Sequence, residues 1–312
     1  MHLTEIPLLI FTILGQMSVG AFLALGVVNV VGRTRWPVAA IERISDIAVY
    51  AVGVTLILGF AGSFLHLGNP MNAMNAMNHL TSSGMSREIL AGVLFAVVGG
   101  VYALCQYFRW LTPFVRQVLA AITAILGIVL VAAMASLYLL PTVPAWNTWE
   151  TPASFFATTG LLGCMAVATA LIVRLRVRRS KDDEMGDELT GMVISTLTWL
   201  LIAAMVMLAF IVLITVAQLA SLNAESSRAA QTSLAVMTEY AGLWVLLRIG
   251  LSLIGIALLG YALYRLRSTR GQAKGTAWGW MLQFVIVAFI CVFAGEVIGR
   301  ELFYSAYARL GM

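Results

Sequence analysis

Apolar runs of twenty or more residues recur along this chain, and no stretch between them is long enough to form a soluble domain. As a helix, each run can cross a hydrocarbon core of roughly 30 Å. Lipid offers no water to satisfy exposed N–H and C=O groups, so the runs must be helices rather than isolated strands. The alternating pattern of a membrane barrel is absent. Composition agrees: 61% of the 312 residues are apolar and only 11% are charged, against about a quarter charged in a soluble protein of this length. The mean hydropathy is +0.94. The expected fold is an all-α polytopic membrane bundle, a single integral membrane domain over residues 1–312. Eight spans are expected, at about 7–31, 46–67, 88–108, 115–140, 153–175, 190–220, 241–265 and 276–302. The first is read as a span and not as a cleavable signal, because Met1–Pro7 carries no Lys or Arg.

Basic residues give the orientation. The connections after the first, third, fifth and seventh spans hold fourteen of the 19 Lys and Arg residues, among them Arg33, Arg109, Arg174, Lys181 and Arg265. The opposite face holds three, Arg87, Arg228 and Arg309, while Arg248 and Arg300 fall inside spans. This bias puts both termini outside (periplasmic). It also accounts for the net charge of +5 as cytoplasmic loop charge, with no nucleic acid required.

Cys105, Cys164 and Cys291 stand alone in separate spans, without the paired spacing of a zinc or iron–sulfur site. A membrane haem normally takes two axial ligands, most often histidines. His2 is terminal, and His66 and His79 share one loop region, so a bis-histidine haem between helices is not expected. No phosphate-binding glycine loop is present, and the reading is that the protein holds no metal, haem or cluster of its own.

Ionisable groups inside spans are the remaining clue, since each costs at least ~2.5–3.5 kcal/mol at the bilayer centre. His66 closes the second span, and Glu88 opens the third at the same face. Arg248 lies about seven residues into the seventh span, roughly 10 Å below the outer boundary. Glu296 and Arg300 fall in the last turns of the eighth, four apart, on one helix face where they can pair. These five expensive side chains collect at one depth. Each has a plainer reading: a structural intrahelical pair for Glu296–Arg300, snorkelling for Arg248, a helix-terminal carboxylate for Glu88, a capping or interface role for His66. The Met71–His79 stretch repeats Met and Asn in triplets, read as a brief interfacial helix or a flexible lining for a hydrophobic ligand. Pro141–Trp149 is uncharged and aromatic, suited to the headgroup level or to a docked partner.

Several stretches carry a resemblance. Pro7–Gln16, the region from His66-Leu67-Gly68 through Ser86-Arg87-Glu88, Thr142–Trp146 and Gly295–Arg300 together resemble the membrane anchor subunit of anaerobic dimethyl sulfoxide reductase, a family of eight-span proteins. The resemblance implies a multi-pass subunit of the cytoplasmic (inner) membrane. It would oxidise menaquinol and hold an iron–sulfur electron-transfer subunit, which serves a molybdopterin catalytic subunit in anaerobic respiration. The terminal reduction would lie in that partner. The family's quinol-site histidine and glutamate fall on His66 and Glu88, and Gly68 is read as part of the same site. The Asn72–Met77 repeat and the long charged loop 174–189 depart from the family's pattern.

The chemistry of quinol oxidation fits these residues. Two electrons and two protons leave, so the site needs an apolar slot and a base for each hydroxyl proton. On this reading neutral His66 accepts a proton from one hydroxyl, and Glu88 relays it outward or binds the second hydroxyl. Arg248, Glu296 and Arg300 tune the site and stabilise a semiquinone anion. A secondary transporter is the competing reading. Against it, no repeat relates the two halves, no broken helices are evident, and the charges cluster near one face. A purely structural anchor is the third reading.

Overall fold

Hydroxyl caps and prolines set several of the helix boundaries. The structure, a computed structural model, describes residues 6–32, 36, 53, 79–179, 187–268 and 276–311. Its helices in chain order are α1 (Ile6–Gly32), α2 (Gly84–Tyr107), α3 (Pro113–Ser136), α4 (Glu150–Arg179), α5 (Asp187–Ala224), the short α6 (Arg228–Ala235), α7 (Gly242–Ser268) and α8 (Thr276–Ser305). The five residues Val236–Tyr240 continue α6 as a π-helix. All but α6 are long and apolar enough to cross a membrane, and the described residues include no strand.

Ser83 caps α2 by accepting from the Ser86 amide, and Thr112 caps α3 with Pro113 in its first turn. Ser227 starts α6 in the same way. The seven long helices coincide with seven of the eight expected spans. The expected span 46–67 falls almost wholly outside the described residues, as do His66, Gly68 and the Met–Asn repeat up to Asn78.

Two boundaries differ from expectation for clear reasons. The fourth expected span runs to residue 140, but α3 ends at Ser136. Pro141 has no N–H and pushes its predecessor out of helical backbone, and the backbone tightens through turns at Tyr138 and Leu139. Glu88 is expected to open its span. With the cap at Ser83 it lies instead in the second turn of α2, and no acidic residue occupies the first turn.

α4 is the central helix, packed against α1, α3, α5 and α8, while α7 and α8 lie together along their length. The α1–α4 approach depends on Gly20 and Gly163: a Cβ on either would overlap backbone of the other helix. Small residues of this kind let membrane helices gain dispersion contact, where lipid removes most of the hydrophobic drive. Large apolar side chains such as Leu213, Val216, Leu246, Leu253 and Ile290 are exposed on the outer faces of α5, α7 and α8, a surface suited to lipid. Buried hydroxyls mostly stay within their own helix: Thr12, Thr123, Thr159 and Thr215 each donate to the carbonyl four residues back.

Candidate functional site

The last turns of α8 carry Glu296 and Arg300, 1% and 5% exposed, and both reach away from each other. The Glu296 Oε2 accepts from Arg248 Nη2 of α7 at 3.2 Å and from Thr158 Oγ1 of α4 at 2.6 Å. Arg300 Nη2 donates to Gln16 Oε1 of α1 at 3.0 Å, and its guanidinium carbon lies 3.8 Å from the centre of the Phe155 ring. The spacing of four puts the two on one face, yet each is bonded to a neighbouring helix. Glu296 forms its ion pair with Arg248 of the neighbouring helix, not with Arg300. Glycine makes it possible: a Cβ on Gly299 would collide with the Arg248 guanidinium, which lies across α8 there.

Above Arg300 sits an aromatic cap. Tyr138, just past α3, packs on Trp146, Phe155, Phe303 and Tyr304. Its hydroxyl lies 3.1 Å from that of Tyr304, which in turn lies 3.2 Å from Thr12 Oγ1. Trp146 stacks on Phe303 at 5.2 Å and donates its indole N–H to the Phe303 carbonyl at 2.8 Å. Further bonds tie the connections to one another and to the helix ends: Gln218 Nε2 to the Ala145 carbonyl, Ser233 Oγ to the Ala306 carbonyl, and the Leu310 amide to the Thr142 carbonyl. The composition of the 141–149 loop suggests a headgroup belt or a docking element. Trp146 instead folds inward, while Trp149 is 58% exposed.

Glu88 is half-buried in α2, and Tyr138 lies within electrostatic reach of both Glu88 and Arg300. Four of the six expected site residues, Glu88, Arg248, Glu296 and Arg300, therefore gather at one end of the bundle. The other two, His66 and Gly68, lie outside the described residues. Beside the ion pair, a cavity of about 40 Å³ opens between α4, α5, α7 and α8. Thr158, Thr215, Gln218, Arg248, Glu296 and Arg300 give it a polar wall, and apolar residues including Met237 and Phe303 complete it. Glu296 Oε1 has no protein partner there. A carboxylate with one oxygen tied and the other unpartnered can accept a proton without losing its ion-pair geometry.

Sequence reasoning does not single out Gln16, Thr158, Tyr138, Tyr304, Thr215 or Gln218. Gln16 is findable, because a lone amide within an apolar run is costly unless it has a partner. Thr158 is not: it adjoins Thr159, and nothing in the sequence tells which hydroxyl turns to its own helix and which crosses to a neighbour. Among the described residues no group of three His, Cys, Asp or Glu side chains converges as a metal site would need.

The DMSO reductase anchor subunit (DmsC) family matches residues 1–306. The protein belongs to that family. Relatives agree over nearly its whole length. The C subunit of anaerobic dimethyl sulfoxide reductase from Escherichia coli (strain K12) is 30% identical over 311 residues, covering 99% of this sequence and 96% of the relative. The YnfH subunit, an anaerobic dimethyl sulfoxide reductase component of the same organism, is 28% identical over 308 residues, covering 99% and 96%. Among solved structures, bd oxidase from Geobacillus thermodenitrificans superposes with a TM-score of 0.54, covering 97% of this protein and 85% of that one. At 13% identity that likeness speaks to the fold alone. The seven apolar helices are those of a multi-pass DMSO reductase anchor subunit.

Proposed function

We propose that this DMSO reductase anchor subunit oxidises menaquinol at the outer face of the cytoplasmic membrane. It passes the electrons to a docked iron–sulfur subunit, which feeds a molybdopterin catalytic subunit. The protein crosses the membrane eight times with both termini outside, the second crossing being 46–67. The observation that carries this reading is the gathering of Glu88, Arg300 and the Arg248–Glu296 pair at one end of an apolar bundle, in a family of reductase anchors. Charges so costly in a membrane are retained at functional sites, and quinol oxidation is the chemistry that needs bases beside an apolar slot.

In this mechanism His66 takes a proton from one quinol hydroxyl, Gly68 belongs to the same site, and Glu88 relays the proton outward or holds the second hydroxyl. Arg248, Glu296 and Arg300 set the electrostatics. Electrons leave directly to the partner's cluster. Protons leave on the side where the quinol is oxidised, so with substrate reduced on that same face the step moves no charge across the bilayer. Sealed vesicles holding the complex and driven by quinol alone will build no potential; a measured potential would contradict this sidedness.

The decisive experiment is His66→Ala in the assembled complex. Quinol-driven turnover should fall about 10²–10⁴-fold, the usual worth of a positioned general base. Reduction driven by an artificial dye at the catalytic subunit should be unchanged. Normal quinol turnover would remove the proposed role. Co-purification of an iron–sulfur protein and a molybdenum enzyme separates this reading from a transporter.

A further inference from the structure

Glu296 presents a problem that its ion pair does not solve. Its Oε2 is satisfied twice, by Arg248 and Thr158, while Oε1 is buried with no protein partner. A buried carboxylate oxygen left without a hydrogen bond is costly. That oxygen belongs to a group lining the cavity between α4, α5, α7 and α8, whose other polar lining includes Thr215 and Gln218. A volume of about 40 Å³ is too small for a quinone ring. It suffices for a few water molecules, which need roughly 10–15 Å³ each by this measure and two to four polar partners. Gln218 lies one helical turn beyond Thr215 and donates to the Ala145 carbonyl of the aromatic cap, so the polar wall rises from the ion pair to that end of the bundle. The charged groups on this wall are Arg248 from α7 and Arg300 from α8; α4 and α5 contribute only hydroxyl and amide groups.

We infer that Glu296 and this hydrated cavity form the outlet for the second quinol proton, separate from the His66–Glu88 route. The inference rests on the quinol-oxidation reading above. In the step, the O–H bond of the second ring hydroxyl breaks and a carboxyl O–H forms at Glu296 Oε1, the proton crossing through water. The two electrons pass to the iron–sulfur acceptor in the partner. The proton then leaves through water past Thr215 and Gln218, and Glu296 returns to the carboxylate paired with Arg248. Arg248 and Thr158 act as positioning residues, holding the carboxylate by one oxygen and leaving the other without a protein partner.

The test uses the complete complex in membranes, comparing quinol-driven with dye-driven reduction in H₂O and D₂O over a range of pH. Glu296→Gln should lower quinol-driven turnover at least ~10-fold, raise the solvent isotope effect and leave dye-driven activity intact. Glu296→Asp should restore part of the loss. Should Glu296→Gln fail to assemble, Thr215→Val and Gln218→Met decide, since both leave the ion pair untouched. They should slow quinol turnover and shift its pH profile. Wild-type turnover, isotope effect and pH profile in whichever of these variants assemble would overturn the outlet. His66→Ala marks the difference from the parent reading. If it is inactive with quinol while the Glu296 and cavity variants behave as wild type, only the outlet fails; if His66→Ala is normal, the quinol reading fails first.

Discussion

Two buried charged residues near the end of α8, Glu296 and Arg300, settle their burial in different ways. Glu296 is neutralised by a cation from the next helix and a hydroxyl from the central one. Arg300 donates to a neutral amide, Gln16, and rests its flat guanidinium on Phe155 beneath a pair of tyrosines. Glu296 is held by a localised ion pair, Arg300 by delocalised charge spread over rings and neutral dipoles. An ion pair of this kind is strong only while both partners remain, because loss of one strands the other in low dielectric. The aromatic side degrades more gradually, since each ring and hydroxyl carries a share.

That contrast orders the expected effects. Glu296→Ala strands Arg248, which is 14% exposed, and should cost about 3–5 kcal/mol, read as thermal unfolding of the purified complex. A loss below about 1 kcal/mol would mean the pair is not what holds α7 to α8. Thr158→Val removes a hydrogen bond to a charged group and should cost about 1.5–3 kcal/mol. The same change at neighbouring Thr159, whose bond stays in its own helix, should cost less; equal losses would erase the distinction between them. Arg300→Lys keeps the charge but gives up the planar contact with Phe155, an expected loss of about 2 kcal/mol. Tyr304→Phe should be mildest, about 0.5–1.5 kcal/mol, although it breaks contacts to both Tyr138 and Thr12. A larger effect from Tyr304→Phe than from Arg300→Lys would make the hydroxyl chain, not the cation, the mainstay of that side.

Much of the bundle is legible in the amino-acid sequence. Seven of the spans are readable because lipid admits few alternatives to a helix. The common depth of Glu88, Arg248, Glu296 and Arg300 follows from counting rise per residue along each span. Their pairing does not follow. Spacing suggests Glu296 with Arg300, but i,i+4 proximity is worth only a few tenths of a kcal/mol, and inter-helix partners outcompete it once the bundle closes. Trp146 departs from expectation for a similar reason: Trp suits an interface until a ring such as Phe303 offers it a stack and a carbonyl for its N–H.

The sequence by itself determined that this protein crosses a membrane as helices, and how deep its charges lie, because hydropathy and helical rise are local properties. Family membership was likewise carried by sequence, over residues 1–306. Only the tertiary structure decided which charge meets which partner, that Thr158 bonds across to a neighbouring helix while Thr159 bonds within its own, and that a polar cavity lies beside Glu296. Those outcomes depend on how helices far apart in sequence rotate and approach, and on glycines such as Gly20, Gly163 and Gly299 that let backbone or a guanidinium come close.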